Sequence, residues 1–153
     1  MEKTNIEEYL KKNGKLTYAN KGVSMMPLLK QGRDLFTIEK KTNQRCKKND
    51  VVLYKRGEDY VLHRIIEVRP QDYVILGDNC IRKEYGTTDK DILGVMTSFK
   101  HNGKDYSVQD WQYRLYTFII SHTISVRILI KKMKSRVKNI KILKNIKILL
   151  RNY

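Results

Sequence analysis

From Gly14 onward the chain no longer reads as helix and breaks into short runs of β-branched and aromatic residues. LTYA, LFTIEK, VVLYK, YVLHRIIEV, YVILGD and ILGVMTSF succeed one another. Each is too short for a stable helix and rich in side chains that suit a pleated surface. Between them stand residues that favour turns: Gly32-Arg33-Asp34, Lys48-Asn49-Asp50, Arg56-Gly57-Glu58-Asp59, Arg69-Pro70-Gln71-Asp72 and Asn102-Gly103. This punctuation predicts a mainly β, antiparallel domain of about six strands, coiled and partly barrel-like. Ahead of it, Thr4-Asn5-Ile6-Glu7 has capping-box spacing and predicts a short helix that stops at Gly14.

At Trp111 the helical period returns, and the charge changes with it. Residues 111–153 hold 11 Lys/Arg and no Asp or Glu, whereas the first 110 residues set 21 basic groups against all 16 acidic ones. The chain therefore divides into a β-domain at 1–110 and a basic helical extension at 111–153. Leu115–Val126 is the longest uncharged stretch, and it is too short for a hydrocarbon core that needs roughly 20 residues. The end repeats itself, KNIKIL at 138–143 and again at 144–149. Plotted as a helix, Ile142, Leu143, Ile146, Leu149 and Leu150 share one face, and Lys141, Lys144, Lys147 and Arg151 the other. Residues 131–153 thus read as an amphipathic helix on an anionic membrane surface. For 111–130, a helix covering the β-core is an equal alternative. Nucleic acid is a poorer partner, because no base-stacking aromatics interleave with the lysines.

The N-terminus MEKTNIEEYLKKNGK has no apolar run of signal-peptide length. Cys46 and Cys80 make no zinc spacing with His63, His101 or His122; they allow one disulfide but read more readily as free thiols of a reducing compartment. No cofactor or metal is implied.

One serine is set where a solvated serine is not expected. Ser24 lies in Gly22-Val23-Ser24-Met25-Met26-Pro27, between a permissive glycine and a stiff apolar exit. A serine hydroxyl needs a base to become a nucleophile, and His63 lies inside a strand, where a polar ring needs a partner. A turn centred between Pro70 and Gln71 pairs Arg69 with Asp72 and, in unbroken register, His63 with Asp78. Directly opposed residues have Cβ atoms about 4.5–5.5 Å apart, so an acid could orient the ring. An odd-length loop would break that register.

Taken in order, G-V-S-M-M-P at 22–27, L-H-R-I at 62–65, G-D-N at 77–79 and I-L-G-V at 92–95 resemble the boxes of type I signal peptidases, relatives of the self-cleaving repressor proteases. The resemblance spans about residues 20–98 and is to the histidine form, where commoner bacterial enzymes carry lysine. It implies a serine endopeptidase with Ser24 as nucleophile and His63 as general base, cutting a leader or signal peptide after a small residue. In the histidine-type relatives the third member follows the G-D-N aspartate by six residues. That position is Glu84 here, a glutamate where the family has aspartate. Register favours Asp78 and motif spacing favours Glu84; Asp78 would then hold the loop. Asp89 and Asp91 are distant candidates, and Cys80 with His63 is a poorer nucleophile reading. The Ser24 N–H would serve the oxyanion hole, while Gly22 stands where some relatives add a serine hydroxyl. Such peptidases are normally anchored by a spanning helix. The expectation here is instead peripheral attachment at the cytoplasmic face through the basic tail. The competing expectation is a non-catalytic domain that binds membrane or partner through 111–153. A self-cleaving repressor fits less well, since only some 20 residues precede the Ser24 box.

Overall fold

The computed structural model describes residues 6–136. The chain forms two compact units, divided between Ser121 and His122. In the first, α1 (Ile6–Asn13) is followed by eight strands and a second helix. The strands are β1 (Lys15–Ala19), β2 (Leu35–Lys40), β3 (Val51–Arg56), β4 (Asp59–Val68), β5 (Tyr73–Leu76), β6 (Glu84–Thr87), β7 (Ile92–His101) and β8 (Lys104–Ser107); α2 spans Trp111–His122. In the second unit, residues 124–136 are helical. No described helix is long and apolar enough to cross a membrane. The repeats at 138–149 and the Thr4 cap lie outside the described residues.

All strand pairs are antiparallel, in the order β1-β2-β7-β3-β4-β5-β6, with β8 beside β7, and the sheet is open. The six strongly apolar runs fall on β1, β2, β3, β4, β5 and β7. The two strands that hydropathy did not mark are four residues long and polar: β6 (EYGT) and β8 (KDYS). β8 is the return arm of a hairpin whose tip, Asn102-Gly103, has both residues at positive φ, the geometry that an Asn-Gly pair favours.

Central strands are buried on both faces, which is why VVLY is continuously apolar rather than alternating. Val51 and Leu53 join a core with Leu10, Met25, Leu28, Leu29, Phe36, Phe99 and Tyr113. Val52 and Tyr54 point to the other face, into a cluster with Cys46, Ile65, Tyr73 and Ile75. Gly94 marks a close crossing: a Cβ there would lie 2.6 Å from the Glu39 carbonyl oxygen on β2.

The compact β-unit reaches Ser121 rather than ending at residue 110, because α2 buries Tyr113, Thr117 and Ile120. Of the 111–130 segment expected either to cover the β-core or to lie on a membrane, α2 thus turns one face to the β-unit. Asp110 starts the helix, its carbonyl accepting from Arg114 N–H at 3.0 Å while its carboxylate accepts from Ser107 N–H at 2.7 Å.

Candidate functional site

The segment carrying Ser24 is a turn fastened from three sides. Met25, Leu28 and Leu29 sink into the core, which explains the apolar residues around a half-buried serine. Asn20, itself buried, spans the loop from within: its Nδ2 donates to Gly22 O and Leu29 O, each at 3.2 Å. From outside, Asn79 N–H donates to Ser24 O at 2.7 Å and Asn79 Nδ2 to Val23 O at 3.0 Å. Gly22 sits at φ 80° with open space where a side chain would stand. In the chain as it stands, the glycine is required by conformation, not by crowding.

His63 lies on β4 opposite Val52 of β3, and the residue is 4 % exposed. Its Nδ1 is 3.2 Å from Glu84 Oε1 and 3.2 Å from Tyr54 Oη. Tyr54 donates to Glu84 Oε2 at 2.7 Å, and Arg56 Nη1 reaches Glu84 Oε1 at 3.1 Å. Burial first, then the bond to Glu84, holds the Tyr54 phenol well above its ordinary pKa, so it remains a donor. With that proton committed to Glu84, the Nδ1 position of a neutral His63 is the one to carry hydrogen, and Nε2 is left as the acceptor. Burial also lowers the His63 pKa below its ordinary value, with Glu84 partly offsetting it. Burial thus favours the neutral ring, the form that can accept a proton.

Gly77 is where the two segments meet. A Cβ on it would lie 2.8 Å from Ser24 O, 2.9 Å from His63 Cδ2 and 2.8 Å from Cys80 Sγ. The Cδ2 edge of the imidazole, which also bears Nε2, and the Ser24 carbonyl both border Gly77, and only glycine fits there without displacing them. Among the described residues no hydrogen bond joins Ser24 Oγ to His63 or engages Ser24 N–H. Such contacts are often long in unliganded sites and tighten when substrate binds.

The four residues singled out by sequence separate into two groups. Glu84, from the polar strand β6, reaches His63. Asp78 does not: its carboxylate receives Arg64 Nε and Nη2, each at 2.8 Å, and Tyr116 Oη at 2.8 Å. The expected pairing of His63 with Asp78 is corrected by a bulge. Val68 pairs with Tyr73 and Glu67 with Val74 as the turn predicts, but a shift between Ile65 and Glu67 moves Ile65 opposite Ile75 and Arg64 opposite Leu76. An extra residue in one strand displaces everything beyond it by one place. Arg64 is 1 % exposed, and it also donates to Asn49 O at 3.0 Å, Tyr113 Oη at 3.2 Å and Thr117 Oγ1 at 3.3 Å. Asp89 and Asp91 serve elsewhere, with Tyr73, Lys41 and Arg45, and with Thr88. Cys46 and Cys80 are not joined in a disulfide; burial pushes the Cys46 thiol up to about 11.

Tyr54 was overlooked although its position was readable. The two-residue turn Gly57-Glu58 pairs Arg56 with Asp59, and counting back places Val52 opposite His63 and Tyr54 diagonal to it on the same face. Asn79 was marked only as a member of the G-D-N box, and Asn20 carried no comparable signal, since it belongs to no motif or periodic pattern.

Compared with known proteins, the chain finds no match among protein families, curated proteins or solved structures.

Proposed function

We propose that this chain is a serine endopeptidase of signal-peptidase type, cutting a leader or signal peptide while held peripherally on an anionic membrane surface by residues 131–153. The observation that carries the reading is the buried His63, with Glu84 Oε1 3.2 Å from one ring nitrogen and Gly77 bordered by both the Ser24 carbonyl and the opposite edge of the ring. In this mechanism Ser24 Oγ attacks the scissile carbonyl carbon and His63 Nε2 takes its proton. Glu84 steadies the resulting imidazolium, and Ser24 N–H stabilises the oxyanion. Collapse of the tetrahedral adduct breaks the C–N bond, His63 returns the proton to the leaving amine, and an acyl-serine remains. Water, deprotonated by His63, then releases the second product. Preference for a small residue before the cut follows from the family resemblance.

A second reading, a non-catalytic domain that binds membrane or a partner through 111–153, is favoured by the lack of a Ser24–His63 hydrogen bond. Turnover of a leader-type peptide separates the two. The peptidase reading expects cleavage by the native chain and its loss in Ser24→Ala, with vesicle binding unchanged. Binding without cleavage by the native chain would establish the non-catalytic reading.

A further inference from the structure

The two sides of α2 have opposite characters. Tyr113, Thr117 and Ile120 face the sheet and are buried. Trp111, Leu115, Phe118 and Ile119 are exposed by 69 %, 50 %, 59 % and 52 %. At 3.6 residues per turn these four fall within an arc of about 100°. An aromatic and aliphatic stripe of that width is more than scattered surface apolarity explains.

The surroundings select the occupant. α2 itself carries Arg114 and no acid. It is hydrogen-bonded to two loops, at Asn49 through Ser121 (2.7 Å) and at Asp78 through Tyr116 (2.8 Å). Those loops hold Lys47 and Lys48, and Arg82 and Lys83, all four exposed. The other ten basic groups of 111–153 follow with no acid among them. An apolar stripe on a helix that carries Arg114 and no acid, with a tryptophan at its start and only basic charges after it in the chain, has the chemistry of a helix lying in the headgroup region of an anionic bilayer. A protein partner would have to be both apolar and acidic to match it.

We infer that the outer face of α2 is a lipid-docking surface that inserts Trp111, Leu115, Phe118 and Ile119 into an anionic membrane interface. This deepens the membrane attachment proposed above and adds a consequence for the site. Tyr116, on the same helix, is bonded to Asp78, and the next residue, Asn79, holds the Ser24 loop. Docking through α2 therefore brings the candidate site to the lipid surface, whereas a tail acting alone would leave its height above the membrane unset.

Trp111 is the only tryptophan, so its fluorescence in the full chain reports on this face alone. With vesicles of phosphatidylcholine containing phosphatidylglycerol, we expect its emission to move to shorter wavelength and to be quenched by acyl chains brominated near the headgroup. Phe118→Glu should abolish the shift and weaken vesicle affinity about tenfold or more. Peptide turnover without lipid should stay at the native level. Cosedimentation with unchanged emission would overturn the docking face while leaving tail attachment intact. An emission shift that grows with protein concentration in the absence of lipid would overturn it in favour of a second copy of the chain. Absence of vesicle binding would overturn it together with the membrane reading, and turnover in solution would still test the peptidase reading independently.

Discussion

His63 sits 4 % exposed among apolar strands, and burial and the Glu84 charge, the two largest influences on its protonation, oppose each other. Burial disfavours the imidazolium, and the Glu84 carboxylate favours it; burial prevails and the pKa is lowered. For activity, the base must be neutral. Turnover should therefore rise through an acid limb whose midpoint lies below the ordinary histidine value near 6.5. Because Glu84 raises that pKa, Glu84→Gln should move the limb to still lower pH while reducing the plateau of kcat/KM by about 10²–10⁴-fold, the range seen when a triad carboxylate is neutralised. An unmoved limb would mean that Glu84 does not govern the ring. The same shift has a sign in stability. Below pH 6.5 the unfolded chain binds a proton that folded His63 resists, so the contribution of this group to stability falls on acidification until the lowered folded pKa is passed. Gly77 is the other residue whose identity is fixed by contact. Gly77→Ala would press a methyl group within 3 Å of both Ser24 O and His63 Cδ2. It should lower turnover by at least about tenfold and reduce stability by about 1–3 kcal/mol through overpacking, seen as a lower urea midpoint.

Between elements, the adjacent residues His63 and Arg64 divide the work because a strand sends neighbours to opposite faces. His63 turns toward Tyr54 on β3 and Glu84 on β6. Arg64 turns toward the Asp78 loop and α2, where both the arginine and the aspartate are almost wholly buried. Removing one partner of such a pair leaves a charge without compensation and costs about 3–5 kcal/mol. Asp78→Asn should accordingly reduce stability by about that amount in urea unfolding. Tyr116→Phe, which removes one neutral donor from the same carboxylate, should cost only about 1 kcal/mol. Equal effects from the two would show that Asn49 O, Tyr113 and Thr117 suffice to hold Arg64. Glu84 is more exposed than Asp78, so Glu84→Gln should affect turnover far more than stability. That contrast separates the orienting carboxylate from the structural one.

For the whole molecule, the excess positive charge is concentrated beyond residue 110, and long-range attraction to an anionic surface is screened over about 10 Å at 0.1 M salt. Deleting residues 131–153 should weaken binding to anionic vesicles, with the largest loss at low salt; binding that is indifferent to the deletion would remove the tail from the mechanism. Much of the architecture was legible in the residues themselves. Six strands, the helix ending at Gly14 and the helix beginning at Trp111 were written in periodicity and turn chemistry, because those signals are local. β6 was not legible: EYGT has neither length nor apolar alternation, and it is a strand because β5 offers it an edge. Yet this unmarked strand delivers Glu84, which sequence reached only through motif spacing. The choice between Glu84 and Asp78 could not follow from counting, since one bulge between Ile65 and Glu67 shifts the register on which the count depends. The residues alone therefore determined which side chains are candidates for chemistry and which runs become strands, both consequences of local composition. The tertiary structure alone decided which carboxylate meets the imidazole, that Tyr54 joins them, and that α2 buries one face on the sheet and exposes the other. Those are consequences of pairing and packing between segments far apart in the chain.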